Sequence, residues 1–66
     1  MAKRLELKVF RIRKGLTQDE MAKVCGVSKS AYCLVEQGKR KGSLDFWNKL
    51  QEAFKISDAD MWNLMK

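Results

Sequence analysis

The stretch from Thr17 to Gln37, TQDEMAKVCGVSKSAYCLVEQ, constrains this chain more than any other part of it. Thr17 is an N-cap residue type and Glu20 follows three places later, so hydroxyl and carboxylate can each satisfy the other's orphan backbone N–H in a capping box. A helix therefore starts here. Apolar Met21, Ala22 and Cys25 recur at helical spacing until Gly26, whose left-handed backbone ends a helix at little cost. Ser28, a second N-cap type, opens another segment, with Ala31, Tyr32 and Val35 on one side and Gly38 as its stop. The pattern predicts a helix, a three-residue turn and a second helix.

The flanking segments also read as helices. Residues 4–14 place Leu7 and Phe10 on one stripe, with Arg11 at its edge, before Gly15 ends the run. Leu5, Val9 and Ile12 form a second stripe on the opposite side. Such a stripe either packs against the C-terminal helix, which is the expectation, or stays exposed as a patch for another protein. Ser43 caps a fourth helix bearing Leu44, Phe46, Trp47, Leu50, Ala53 and Phe54, too many apolar groups for a narrow stripe. Ser57 caps a short fifth, with Asp60 completing a capping-box pattern and Met61, Trp62, Leu64 and Met65 close behind. The expected fold class is all-α, as a single domain over residues 1–66.

Sixty-six residues support only one small core, and below about 70 to 80 residues such a core contributes no more than about 3 to 5 kcal/mol. No secretory signal or membrane-spanning run is visible, so a cytoplasmic setting is expected. Cys25 and Cys33 lie in different predicted helices of a chain without histidine, a pattern that fits neither a disulfide framework nor a zinc site. No metal, cofactor or small-molecule ligand is expected. Catalysis is not expected either, since no nucleophile adjoins a base and no glycine motif cradles phosphate.

Net charge is +6 and is unevenly spread. Residues 1–42 carry eleven Lys or Arg against four Asp or Glu, whereas residues 43–66 carry three against four. The whole excess lies in the front two-thirds. A surface of this kind attracts polyanions, nucleic acid foremost, because neutralising phosphates releases condensed counterions.

The run GLTQDEMAKVCGVSKSAYCLVEQGKRK resembles the helix-turn-helix of the phage repressor and Cro (XRE) class of DNA-binding proteins, also met in restriction-modification controllers and other small bacterial regulators. The shared features are the Gly15-Leu16-Thr17-Gln18 lead, small Ala22, the Gly26 turn, apolar Met21, Cys25, Val27, Tyr32 and Val35, and the closing Glu36-x-Gly38-Lys39. A further stretch, Ser43-Leu44 to Asp60-Met61, is similar to the family's fourth and fifth helices. The resemblance implies a compact five-helix lambda-repressor-like domain of prokaryotic or phage origin. It also implies a transcriptional regulator, expected to be a repressor, whose partners are double-stranded DNA and a second copy of the chain.

The resemblance assigns roles residue by residue. Arg11 pairs with Glu36 and helps aim the reading helix. Ser28, Lys29, Ser30, Cys33 and Leu34 face the major groove, with Lys29 suited to a guanine O6 or N7 and Ser30 to any base. Cys33 and Leu34 are apolar where water would otherwise wet the helix. Leu34 either buries a thymine methyl or rests on neighbouring protein. Cys33 shares that reading, with a redox-sensing thiol as its alternative. Gln18, at a positive helix end, touches the DNA backbone or the base pair beside it, and Gln37 approaches the backbone. Lys39, Arg40 and Lys41, between Gly38 and Gly42, form a phosphate clamp. Tyr32 replaces the family's usual aliphatic residue and is expected to fill the core while its hydroxyl reaches a phosphate. Gly42 stands where the family often has proline, so a mobile loop is expected. Independently of the resemblance, a tail this short cannot easily bury all its large apolar groups, so Trp47 is expected in the core and Trp62 and Met65 at a twofold dimer contact.

The competing expectation is a protein-binding module of the same fold, an antirepressor or antitoxin, using Leu5, Val9, Ile12 and the Cys33-Leu34 pair.

Overall fold

Local chemistry at the chain's polar punctuation sets the element boundaries. In the computed structural model, which describes residues 4–66, five helices follow one another: α1 (Leu5–Arg13), α2 (Gln18–Cys25), α3 (Lys29–Glu36), α4 (Leu44–Phe54) and α5 (Asp58–Met65). No strand occurs among the described residues. The Glu20 N–H donates to Thr17 Oγ1 at 3.1 Å and the Thr17 N–H to Glu20 Oε1 at 2.9 Å, closing the capping box of α2. Ser28, Ser43 and Ser57 accept from the backbone N–H of Ala31, Phe46 and Asp60 at 3.2, 3.1 and 3.2 Å. At Ser57 the reciprocal bond is missing, because Asp60 is one methylene shorter than Glu20. Gly26 takes φ 72 and ψ 29, so α2 stops and α3 starts within three residues.

The two central helices pack on each other through small and apolar groups. Met21, Ala22 and Cys25 of α2 meet Tyr32 and Val35 of α3 in a core completed by Leu7, Phe46, Trp47, Leu50, Met61 and Leu64. Ala22, 1% exposed, leaves no room for a larger side chain where the two helices lie against each other. Aromatic rings pack within and around this core. Tyr32 stacks on Phe46 with centroids 6.1 Å apart, Phe46 meets Trp47 edge-on at 4.7 Å, and Phe10 meets Phe54 edge-on at 5.2 Å.

Two expectations are overturned here. The Leu5, Val9 and Ile12 stripe is not core: these side chains are 60, 39 and 56% exposed. The short α1 turns Leu7 inward and half-buries Phe10, and no helix remains to cover its other side. Tyr32 does not reach outward to a phosphate, because the whole residue is buried under Phe46. Its hydroxyl lies beside Glu36 but makes no hydrogen bond of good geometry. Burial pushes that hydroxyl far above its ordinary range.

Candidate nucleic-acid interface

The exposed side of α3 begins at its N-terminus. Ser28, Lys29 and Ser30 are open to solvent, as is Gln37 at the other end, while Cys33 and Leu34 are half-buried between them. Beyond α3 the chain doubles back. Lys39 and Arg40 donate their backbone N–H to Leu34 O at 2.9 and 3.2 Å, which sets the basic loop directly after the reading face. The side chains of Lys39, Arg40 and Lys41 are all exposed.

The loop is tied down, contrary to the mobility expected from its missing proline. Trp47 Nε1 donates to Lys41 O at 3.0 Å, and the Arg4 guanidinium donates to Arg40 O at 2.6 Å and reaches Lys41 O at 3.5 Å. Gly42 has φ +78, a conformation closed to proline, and a Cβ there would stand 2.9 Å from Trp47 Nε1. Glycine at this position lets the loop seat on the indole.

At the C-terminal end of α3, Glu36 is 6% exposed and gathers three donors. Arg11 Nε meets Oε2 at 3.0 Å, Arg11 Nη2 meets Oε1 at 3.4 Å, and Gln18 Nε2 meets Oε1 at 3.4 Å. Arg11 Nη1 also donates to Leu16 O at 2.9 Å, so one side chain joins α1, the α1–α2 turn and α3. The hydrogen bond to Glu36 outweighs burial and raises Arg11 above its usual range. Burial pushes the Glu36 carboxyl up, but the Arg11 guanidinium and the adjoining Tyr32 hydroxyl outweigh it and hold the group below the usual carboxylate range. Gln18 has therefore spent one of its two amide hydrogens inside the protein, and its other donor remains for an external acceptor.

Sequence reasoning overlooked two cations beside this face. Lys8 on α1 lines a recess of about 380 Å³ with Gln18 and Gln37. Arg4 lines the same recess and holds the basic loop. No spacing rule marks either residue. Of the cysteines, Cys25 is buried and its thiol is pushed up to about 11, which keeps it unreactive at neutral pH.

Trp62 is 71% exposed, and Met65 and Leu44 are exposed beside it along a groove of about 220 Å³ between α4 and α5.

Residues 4–64 match a family model described as a helix-turn-helix domain. The chain belongs to the helix-turn-helix domain family, a family of regulators and not of enzymes. It is similar to an uncharacterized HTH-type transcriptional regulator of Archaeoglobus fulgidus, with 30% identity over 67 residues that cover 89% of this chain and 96% of that protein. It is also similar to the uncharacterized HTH-type transcriptional regulator YqaF of Bacillus subtilis, with 39% identity over 46 residues. That match takes in 70% of this chain and 60% of YqaF. No solved structure matches the chain significantly. Among the described residues, no helix is long and apolar enough to cross a membrane.

Proposed function

We propose that the chain is a sequence-specific, double-stranded-DNA-binding transcriptional regulator of the phage repressor and Cro class, of prokaryotic or phage origin, acting as a repressor in the cytoplasm. The observation that carries this reading is the open N-terminal face of α3, with Ser28, Lys29 and Ser30 unobstructed and the three-cation loop alongside. In this reading Lys29 and Ser30 read base edges, Cys33 and Leu34 take thymine methyls, and Gln18, Gln37, Lys39, Arg40 and Lys41 hold the backbone. The Glu36–Arg11 pair fixes the tilt of α3 without touching DNA. The names of the archaeal and bacterial relatives agree with a regulatory role.

A dimer gives the reading its geometry. In this reading two copies, each about 25 Å across its Cα atoms before side chains are added, set their reading helices one DNA turn apart. That spacing, about 34 to 36 Å, suits a palindromic operator. Trp62 and Met65 are the proposed anchors, since a large exposed aromatic beside an apolar groove is typical of an interface. Trp62→Asp is expected to abolish any concentration-dependent association in sedimentation equilibrium while leaving the helical circular dichroism unchanged. Unaltered association would remove α5 from the interface.

A gel-shift on random duplex DNA at about 50 and 200 mM salt tests the function, because phosphate contacts make affinity fall steeply with salt. Lys29→Ala is expected to cost about 1 to 3 kcal/mol on a site selected from a random pool and to relax the preference at the bases it faces. Binding indifferent to salt and to Lys29 would favour the second reading, a protein-binding module. The exposed Leu5, Val9 and Ile12 stripe is what speaks for that alternative.

A further inference from the structure

Arg4 precedes α1 and has no side-chain cap to offer that helix. Its bonds run elsewhere. The backbone N–H donates to Glu36 O at 3.0 Å and Nη1 to Val35 O at 2.7 Å, both in the last turn of α3. Nη1 also meets Arg40 O at 2.6 Å and Nη2 meets Lys41 O at 3.5 Å, both in the basic loop. Nε donates to Met65 O, the end of α5, at 3.1 Å. The guanidinium carbon stands 5.6 Å from the centre of the Trp47 ring, whose own N–H holds Lys41 O.

Every hydrogen-bond acceptor here is a main-chain carbonyl. The last carbonyls of a helix lack intrahelical partners and carry partial negative charge, which a planar fork with five N–H donors satisfies several at a time. A cation at this point also repels Lys39, Arg40 and Lys41. Filling space or capping α3 alone calls for no charge, so the fork geometry is what singles out arginine. With the carbonyls of Arg40 and Lys41 drawn inward, the loop's backbone is held at one fixed height above the end of α3.

We propose that Arg4 is a positioning residue for DNA binding: it sets the 38–42 loop against the end of α3 so that Lys39, Arg40 and Lys41 meet phosphates in register with the reading helix. This role rests on the proposed DNA-binding function, and Arg4 itself touches no base or phosphate in it.

The test uses the full chain as wild type, Arg4→Lys and Arg4→Ala. Lysine keeps the charge but not the fork, so it separates placement from simple attraction. Two quantities are read: the slope of log affinity against log salt on a random-sequence duplex, and hydrogen exchange at the Lys39 and Arg40 amides of the free protein. Arg4→Lys is expected to lower the slope by about 1 to 2, the loss of one or two phosphate contacts. It is also expected to quicken exchange at those two amides while the core amides of Met21 and Leu50 keep their protection. Arg4→Lys matching wild type in both readings would overturn the proposal, leaving Arg4 as one more positive charge. Faster exchange spread evenly over the whole chain would also overturn it, because Arg4 would then serve stability alone. A wild-type chain that does not bind duplex at all would sink the function and this role with it, an outcome distinct from normal wild-type binding with an indifferent Arg4→Lys.

Discussion

Glu36→Ala is expected to leave the chain largely unfolded at 25 °C. The substitution strands the Arg11 guanidinium, whose side chain is only 12% exposed, without its carboxylate, and also removes an acceptor from Gln18. Breaking one side of a buried pair costs about 3 to 5 kcal/mol. That matches the whole contribution, about 3 to 5 kcal/mol, that a core of this size provides. Far-ultraviolet circular dichroism and a urea titration would measure the loss, and a variant within about 1 kcal/mol of wild type would show the pair to be dispensable. Removing both partners, as Arg11→Met with Glu36→Leu, is expected to restore the fold, since a well-packed apolar pair of similar volume is often neutral or better.

The same pair gives stability a pH dependence of definite sign. The Glu36 carboxyl titrates below its ordinary range in the folded chain, so protons bind the unfolded chain more readily. Its contribution is fully present above the unfolded carboxylate value of about 4.3 and is lost as pH falls through the folded value. Acid unfolding of the wild type should therefore be steeper than that of the doubly apolar variant.

Replacing Lys39, Arg40 and Lys41 together by alanine is expected to reduce DNA affinity more than any single change on the reading face. Each phosphate contact contributes about 0.9 to the salt slope, so losing three flattens it by about 2.7. Between about 50 and 200 mM salt this shrinks the change in affinity by roughly 40-fold. The loop's internal bonds are made by its carbonyls and survive the substitution, so the melting temperature should hold. An unchanged slope would place these cations away from the duplex. Preference among sequences is expected to persist at low salt, because phosphate contacts position and do not read.

The parts of the fold that could be read beforehand are those written in short-range chemistry. Four helix starts follow from Thr17, Ser28, Ser43 and Ser57, because each cap bonds an N–H only three residues away. The pairing of Arg11 with Glu36, 25 residues apart, rested on family resemblance, since charge pattern alone does not select a partner at that separation. Arg4 was invisible because its acceptors are backbone carbonyls up to 61 residues away, which no side-chain pattern marks. The α1 stripe misled for a related reason: spacing shows that Leu5, Val9 and Ile12 share a face, but not whether another helix lies over it. At Tyr32 the polar hydroxyl suggested a wet position, and ring stacking with Phe46 decided otherwise.

The two tryptophans end up in opposite surroundings, one indole shielded with its N–H bound to the Lys41 carbonyl, the other standing in water on α5. The chain thus carries two native fluorophores at the two places where its proposed contacts form. With Trp62 replaced by phenylalanine, emission from the remaining ring reports the state of the basic loop without any dye.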